Sequence, residues 1–474
     1  MVIGMTTSMV LLFGVFGVGS TEIVNEKYDA EQSRRKELRE EAERADTLDE
    51  LTIRLATLSA AQPPNFNAAA NNCLERISLS KEILSRGPTD ENMRRRAVCE
   101  GISANVNLYG LDFMENLQIQ DVGANLEAAY SPYLEDKNQE VYEHARMGLL
   151  THRSFEHIKA DSDELGVLPE LFSDTVGRFE ESEFIASMIE THLIVLIDLK
   201  PEYATSLYSA IEENHPVDGL EPAMKSMMCN VADRLLMKEN DFERKYDDRW
   251  ANGQAGRREL VEMSGKLLSQ KNIGNLLIRR MLLLGQWFER NAFYDDAKSV
   301  YEEILSSANA GNILSTEQDF ARNSANAGVG RLRLDGSTIQ YKGIDTAGQQ
   351  LLEEELKKDV VVVVYWSIDS VESVSYLSKL NRSSKSLASK PITILAVCVD
   401  DELPNEINVM RKSARMRILE PKFNSGKNSL LEVCTPGDLP HVMLIAKQGK
   451  VFDLNANPTE VNNRALGLLL DRNR

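Results

Sequence analysis

The sequence predicts a multidomain chain in which an all-α region precedes an α/β domain. Its 474 residues suffice for roughly three domains, at about 150 residues for each. Apolar residues recur at helical spacing up to about residue 325 and alternate at strand spacing beyond it. Residues 1–330 hold 34 basic and 55 acidic side chains, whereas residues 331–474 hold 20 and 18. Because both properties change at the same place, the two regions are predicted to be separate units.

The composition indicates a globular protein that does not bind nucleic acid. Apolar residues make up 42% of the chain and charged residues 27%, as in ordinary folded domains. The formal net charge is −19. Binding to phosphates needs clustered Lys and Arg, so this charge argues against a DNA or RNA partner.

The first residues, MVIGMTTSMVLLFGVFGVGSTE, predict an export signal or a membrane anchor at 1–20. The apolar run from Met9 to Val18 has the length of a signal-peptide core and is shorter than the roughly 20 residues of a membrane span. No Lys or Arg precedes the run. We therefore expect a periplasmic or secreted protein, or one anchored facing the periplasm, with membrane association through residues 5–20 as the second alternative.

The region before residue 325 is predicted to be helical almost throughout. Residues 22–61 are expected to form one polar helix, which Gln62-Pro63-Pro64 ends, and residues 68–325 an all-helical domain like an irregular solenoid. The apolar stretch LIVLIDL, 193–199, is interpreted as buried helix because its flanks are helical.

One segment, LLGQWFERNAFYDDAKSVYEEIL at 283–305, has a more specific pattern. It resembles a tetratricopeptide repeat, in which small residues let two helices approach and aromatic residues fill the space between them. The residues at the matching positions are Gly285, Phe288, Ala297, Tyr301 and Ile304. A single tetratricopeptide-like hairpin near 281–306 is one interpretation, and an ordinary helical hairpin is the other. Surfaces of such repeats usually bind proteins.

Residues 330–474 are predicted to form a β-α-β unit followed by a β-β-α unit. RLRLDGSTIQYKGIDT, from Arg331, alternates like a β-hairpin, and HVMLIAKQGKVFDL, 441–454, reads as a second hairpin that turns at Gln448-Gly449. The other predicted elements are strands at 359–366 and 391–399 and helices at 371–388, near 404–414 and at 459–471.

This order of elements resembles the thioredoxin fold, in particular the exported bacterial thiol–disulfide oxidoreductases of the TlpA/ResA kind. The resemblance is carried by RLRLDGSTIQYKGIDTAGQQ, VVVVVYW, ITILAVCVDDE and LPHVMLIAKQGKVFDL, and it covers about the last 145 residues. It implies a cis-proline at Pro440. It also implies that the two redox cysteines would stand at the start of the helix after VVVVVYW, where this chain has Ser370 and Ser373.

Serine cannot form a disulfide, so the resemblance implies a redox-inactive domain. The stretch is instead expected to start a helix, with Asp369 as the cap and Glu372 reaching back to it. The vacant groove beside Trp366, Asp369, Leu439 and Pro440 is then expected to bind a protein or peptide partner, without a cofactor. The competing alternatives are an enzyme of the oxidoreductase kind, a single-thiol sensor that uses Cys434, and chemistry hidden in the helical region.

The other reactive residue types suggest little chemistry. The five cysteines contain no CxxC pair, which excludes a zinc ribbon or a dithiol site. A Cys73–Cys99 disulfide and isolated buried thiols both remain open, while Cys398 is assigned to a buried strand. His144, His152 and His157 are interpreted as stray histidines of a charged helix rather than metal ligands. No metal site is predicted.

Overall fold

A computed structural model describes residues 47–470 apart from 116, 161–165, 249–252, 340–342, 385–388, 401–415, 420–429 and 437–438. The predicted export segment therefore lies outside the described residues, as do most of the polar helix and the helix expected near 404–414. Within the described part of the chain, no helix is both long and apolar enough to cross a membrane. The described residues up to Leu235 form one compact unit, and those from Leu236 onward form a second.

The first unit is helical, as the sequence predicts. Several of its helices begin at a side chain that accepts a hydrogen bond from a backbone N–H of the first turn, namely Thr47, Asn65, Asn138 and Ser182. The stretch LIVLIDL is part of a helix with Leu193, Leu196 and Ile197 buried, which confirms its interpretation. The helices are α1 Leu48–Ala60, α2 Phe66–Ser85, α3 Glu91–Glu115, α4 Val122–Tyr130, α5 Gln139–Lys159, α6 Leu168–Arg178, α7 Glu183–Leu199, α8 Pro201–Asn214 and α9 Pro222–Glu239, which continues past Leu235.

The second unit begins with a further set of helices. They are α10 Phe242–Asp247, α11 Gly253–Leu268, α12 Asn275–Arg290, α13 Tyr294–Ala310 and α14 Gln318–Leu332. Helices α12 and α13 form the hairpin that the sequence predicts near 281–306. Its expected packing residues Phe288, Ala297, Tyr301 and Ile304 are all fully buried.

Two glycines make room for Tyr301 in this helical bundle. A Cβ atom on Gly285 of α12 would lie 2.6 Å from the Tyr301 ring, and one on Gly328 of α14 would lie 2.5 Å from it. Neither distance is compatible with a side chain at these positions. Tyr301 is therefore the residue that joins α12, α13 and α14 at close range.

The remainder of the second unit is a five-stranded sheet with the order β3-β2-β1-β4-β5. Strand β1 pairs parallel with β2 and antiparallel with β4, while β2 pairs parallel with β3 and β4 antiparallel with β5. The strands are β1 Val360–Trp366, β2 Ile392–Cys398, β3 Met416–Leu419, β4 His441–Ile445 and β5 Val451–Asp453. This is the mixed sheet of a thioredoxin-like α/β domain, so the predicted fold class is confirmed.

Both faces of the sheet are covered, which explains the continuous apolar run VVVVVYW. Successive side chains of a strand point to opposite faces. Val360, Val362, Val364 and Trp366 pack in one core with the helices that follow β1 and β5, whereas Val361, Val363 and Tyr365 pack in a second core with Leu430 and Leu454. The helices of this part are α15 Glu353–Leu356, α16 Val371–Ser384, α17 Leu430–Val433 and α18 Val461–Leu470.

The segment before β1 differs from its prediction. The alternation of RLRLDG was expected to be strand, but Arg331 and Leu332 are the last residues of α14. The helix continues to Leu332 because Arg331, at this position, forms a buried ion pair with Glu289. The predicted unit boundary near 325–330 accordingly falls inside the second compact unit.

The rest of that segment hydrogen-bonds to both edges of the sheet. The Ile339 N–H donates to the Gly449 carbonyl at 3.0 Å, and the Val451 N–H of β5 donates to the Ser337 carbonyl at 2.8 Å. On the other side, the Thr346 N–H donates to the Ile418 carbonyl of β3 at 2.9 Å. The turn between β4 and β5 has positive φ angles at Gln448 and Gly449, as its prediction requires.

Candidate functional site

The candidate site lies at the end of the central strands, where β1 ends and β4 begins. We call this end of the sheet the site edge. These strands are antiparallel, with Tyr365 opposite His441, so the residues after β1 and those before β4 emerge side by side. The Leu439–Pro440 peptide bond is cis, as the sequence predicts. The edge therefore combines the loop Ser367–Ser370, the start of α16 and the Leu439-Pro440 step.

Asp400 holds the loop after β1. Its carboxylate accepts a hydrogen bond from the Ser367 hydroxyl at 2.7 Å and another from the Ile368 backbone N–H at 2.8 Å. The Cys398 thiol also lies 3.4 Å from this carboxylate. A carboxylate that accepts several hydrogen bonds fixes its donors in place. The loop is thus anchored to the end of β2.

Ser370, rather than Asp369, caps helix α16. The Ser370 hydroxyl accepts a hydrogen bond from the Ser373 N–H at 3.1 Å, and the Ser370 carbonyl accepts the first helical bond, from Val374. This is the geometry of a serine N-cap. Asp369 is exposed, and its N–H donates to the Ser367 hydroxyl. The predicted capping box of Asp369 and Glu372 is wrong, because the loop turns one residue later than the spacing suggests.

Ser373 lies in the first turn of the helix, and its side chain points into the interior. Its side chain is fully buried, and within the described residues its hydroxyl has no hydrogen-bond partner. An unpaired buried hydroxyl costs stability, about 1–3 kcal/mol in mutational series. Neither serine has a base next to it: no histidine or lysine is hydrogen-bonded to Ser370 or Ser373 in the described structure. This arrangement supports a structural role for both serines and offers no activated nucleophile.

Trp366 does not line a groove, contrary to its assignment. Its side chain is fully buried in the core on one face of the sheet, together with Leu377 of α16. The reason is strand alternation, which directs Trp366 to the same face as the buried Val364. Leu439 and Pro440 are partly exposed, and Asp369 is exposed, so these three remain at the surface of the site.

Two exposed apolar side chains that sequence reasoning missed lie at this edge. Ile368 in the loop is 40% exposed and Val371, the first residue of α16, is 77% exposed. The sequence signal was present, because both flank the Asp369-Ser370 pair in the stretch IDSV. The exposure of Ile368 and Val371 depends on which residue caps the helix, and the sequence predicts Asp369 instead of Ser370.

Cys434 is a core residue and not an open thiol. Its side chain is 1% exposed and lies 4.0 Å, Sγ to Nε2, from the buried His441. Burial raises the pKa of Cys434 to about 11, against a smaller lowering effect of Arg331. A thiol with such a pKa is almost wholly protonated at neutral pH and reacts slowly. The geometry contradicts the prediction that Cys434 faces the groove.

The other cysteines are equally enclosed. All five in the chain are free and buried, so Cys73 and Cys99 do not form a disulfide. Burial raises the pKa of Cys73 to about 11 and that of Cys398 and Cys229 to about 12. Burial raises the pKa of Cys99 as well. All five thiols are therefore enclosed in the folded state.

Two of the three histidines of α5 are packing residues rather than stray surface ones, and the third, His157, is half-buried. His144 and His152 are buried, and the Tyr130 hydroxyl lies 3.0 Å from His152 Nδ1. His144 stacks on Phe184, with ring centroids 4.3 Å apart. Within the described residues, no group of three or more potential metal ligands lies together.

Beside the site lies a buried ion pair that sequence reasoning did not find. Arg331 of α14 donates two hydrogen bonds to the Glu289 carboxylate of α12, at 3.1 and 2.9 Å, and both side chains are buried. The Tyr301 hydroxyl donates to the same carboxylate at 2.8 Å. A further hydrogen bond of Arg331 leads to the site, because its Nη1 donates to the Thr435 carbonyl at 3.0 Å.

Charge around the site follows from this cluster. Burial lowers the pKa of His441 well below its usual value, and the positive charges of Arg331 and Arg290 lower it further. His441 is thus a neutral residue at physiological pH. Desolvation lowers the pKa of Arg331 and the Glu289 carboxylate outweighs it, so the guanidinium stays charged.

Comparisons with known proteins give structural similarities of limited extent. The thioredoxin domain of a thiol-disulfide oxidoreductase from Bacteroides vulgatus matches 28% of this chain and 97% of its own, at 20% identity and a TM-score of 0.23. A thiol:disulfide interchange protein from Bacteroides sp. matches 30% of this chain and 93% of its own, at 19% identity and a TM-score of 0.24. A thioredoxin-family thiol:disulfide interchange protein from Chlorobium tepidum matches 28% and 94%, at 15% identity and a TM-score of 0.24.

Sequence comparisons give no family. No protein-family model matches the chain. No curated protein matches it either. The thioredoxin-like architecture of the sheet in the second unit consequently stands on its strand order and its strand directions.

Proposed function

We propose that the second unit is a redox-inactive thioredoxin-like module that binds an extended segment of a partner protein. The observation that carries the first half of this proposal is the state of the sulfur atoms. Ser370 and Ser373 stand where the resemblance to TlpA/ResA-type oxidoreductases expects two cysteines, and all five thiols of the chain are buried. Dithiol exchange needs an accessible thiolate and a resolving thiol. The two serines and the buried thiols therefore support a redox-inactive module.

The second half rests on what the site edge exposes. Ile368 and Val371 present apolar surface beside the Leu439-Pro440 step. Within the described residues, the Leu439 N–H and carbonyl form no hydrogen bond. An extended peptide can use such backbone groups, while apolar surface beside them receives its side chains. The edges of the sheet are less suited to a peptide, because segments around Ile339 and Thr346 already pair with them.

A thiol assay tests the first half. The native full-length chain is treated with an aromatic disulfide at neutral pH, and the released thiolate is followed with time. We expect no fast phase in the native state and five reacting thiols in denaturant, since the sequence contains five cysteines. A fast native phase that Cys434→Ser removes would overturn the redox-inactive assignment and restore the single-thiol alternative.

A binding titration tests the second half with a defined probe. Fluorescent S-carboxymethylated insulin B chain is extended, rich in apolar residues and free of thiols. We expect Val371→Asp to weaken its binding at least about tenfold, which corresponds to about 1.4 kcal/mol. The matched control is Val167→Asp, because Val167 is 66% exposed and also lies at a helix start, that of α6. Equal affinity of the two variants would contradict a binding site beside Val371.

We also propose that the protein acts outside the cytoplasm, in the bacterial envelope, and that its helical region adds protein-binding surface. The export assignment is supported by the apolar run Met9–Val18. Export can be measured by fusing residues 1–60 to an alkaline phosphatase that is active only after export. Phosphatase activity that disappears on deletion of residues 5–20 is the expected result, and an inactive fusion would place the protein in the cytoplasm.

A further inference from the structure

The chain before the cis Leu439–Pro440 bond forms few hydrogen bonds among its described residues, Thr435, Pro436 and Leu439. Upstream it is fixed at Leu430, whose carbonyl accepts hydrogen bonds from the Cys434 N–H at 3.0 Å and from the Tyr365 hydroxyl at 2.9 Å. Downstream it enters β4 at His441. Among the described residues from Thr435 to Pro440, the hydrogen bond formed is the one from Arg331 to the Thr435 carbonyl. This bond comes from the helical bundle, not from the sheet.

Arg331 of α14 can reach Thr435 because the Glu289 carboxylate of α12 holds its guanidinium in place. Its Nε and Nη2 are occupied by the Glu289 carboxylate of α12. The Tyr301 hydroxyl of α13 lies 3.3 Å from Nη2. The remaining nitrogen, Nη1, points to the Thr435 carbonyl. All three nitrogens of the planar guanidinium thus have an acceptor, a pattern that the ammonium of lysine cannot reproduce.

The cost of burying this charge indicates that its position matters. Arg331 is 2% exposed and Glu289 is fully buried. A buried ion pair generally contributes little net stability compared with apolar residues of similar volume, because desolvation offsets the attraction. An apolar pair would close the helical bundle equally well. It would leave the Thr435 carbonyl without a donor.

We infer that Arg331 is a positioning residue for the site: through the Thr435 carbonyl it anchors the chain shortly before Leu439, and so limits the positions from which Leu439 can meet a partner peptide. This inference rests on the proposed function as far as the peptide is concerned. It makes helices α12 and α14 a structural part of the site. The hairpin of α12 and α13 would then also support the thioredoxin-like sheet.

The experiment compares two variants of the full-length chain by hydrogen exchange. Arg331→Lys keeps a positive charge next to Glu289 but loses the donor to Thr435. Tyr301→Phe removes a hydroxyl from the same buried cluster and leaves the Thr435 bond intact. It therefore serves as the control for general destabilisation, and urea unfolding measures the global stability of both.

We expect Arg331→Lys to speed exchange in peptic peptides spanning Cys434 to Val442 at least about tenfold relative to Tyr301→Phe, since local opening is governed by local contacts. We also expect it to bind carboxymethylated insulin B chain more weakly than Tyr301→Phe does. Equal exchange in the two variants would overturn the inference. Faster exchange in Arg331→Lys with undiminished peptide binding would overturn it too.

Two further arrangements keep the test decisive. If Arg331→Lys does not fold, the double variant Arg331→Gln/Glu289→Gln replaces the ion pair by neutral groups and removes the Thr435 contact, and the same two readouts apply. If the wild-type chain does not bind the probe, the proposed peptide function fails. The hydrogen-exchange comparison then decides by itself whether Arg331 positions the segment.

Discussion

The hydroxyl of Ser370 accepts a hydrogen bond from the backbone N–H of Ser373 at 3.1 Å, so one serine of the pair caps the helix on which the other is buried. The relationship explains how this sheet edge can be ordered without a disulfide. It also yields a direct test of which residue starts α16.

Ser370→Ala is expected to lower the free energy of unfolding of the second unit by about 1 kcal/mol, the usual cost of losing an N-cap. Asp369→Ala removes an exposed side chain and is expected to change stability by less than about 0.5 kcal/mol. Urea unfolding followed by circular dichroism measures both. A larger loss for Asp369→Ala than for Ser370→Ala would show that Asp369 is the cap after all.

The double substitution Ser370→Cys/Ser373→Cys is expected to introduce disulfide-reductase activity in the insulin turbidity assay, in which we expect none from the wild-type chain. The first new thiol would stand at the start of a helix, where N–H groups and the helix dipole stabilise a thiolate. Ser375→Cys/Ser378→Cys is the matched control, because it has the same spacing on α16 but lies beyond the first turn. Equal activity of the two dithiols would contradict a special role for the helix start.

Gly285→Ala and Gly328→Ala are each expected to destabilise the second unit by about 1–3 kcal/mol, the range typical of overpacking. The new methyl group would lie within 2.6 Å of the Tyr301 ring in both cases. Gly330→Ala is the control on the same helix as Gly328, because a Cβ there has no neighbour within 4 Å. We expect this control to be neutral or stabilising by up to about 1 kcal/mol. Chemical unfolding in which all three variants behave alike would argue against the close packing of Tyr301.

His441 is expected to make the second unit less stable in acid. Its pKa is lowered in the folded state by burial and by the charges of Arg331 and Arg290, so folding favours the neutral form of the imidazole. The stability that this provides is complete above the unfolded-state pKa, about 6.5, and is lost as the pH falls below it. Urea midpoints at pH 7.5 and 5.5 for wild type and His441→Gln measure the effect, and the variant should show the smaller decrease.

The comparison with His441→Gln is needed because other groups titrate in the same range. Burial raises the pKa of Glu190 in the first unit to about 7. A raised carboxyl pKa contributes stability that is lost as the pH rises, which opposes the trend from the histidines. His144 and His192, whose pKa values burial lowers, act in the same direction as His441. An identical pH dependence of wild type and His441→Gln would exclude His441 as a source of acid sensitivity.

Much of the architecture could be predicted from the sequence, because it depends on local patterns. The run VVVVVYW has the composition of a strand buried on both faces, and Gln448-Gly449 has the composition of a tight turn. LIVLIDL was assigned to a helix from its neighbours, and Gly285 with Tyr301 indicated a close helix pair. Each of these depends on spacing or on backbone preference within a few residues.

The parts of the site that were missed depend on contacts between distant residues. Arg331 looked like part of an alternating strand, because its partner Glu289 is 42 positions away and its target Thr435 is 104 positions away. The sequence places Cys434 near the site but does not indicate how deeply its side chain is buried. Trp366 was assigned to a groove from a family pattern, whereas the alternation of its own strand directs it into the core.

The hydrogen bonds of Ser337 and Thr346 to the outer strands have a consequence for self-association. A β-sheet with open edges can recruit a strand from a second copy, and growth by such pairing leads to aggregates. In this unit a short stretch that follows α14 occupies sites on both outer strands. Loss of that stretch by proteolysis would leave a folded sheet with two unpaired edge strands. We therefore expect the residues around Ile339 and Thr346 to suppress aggregation.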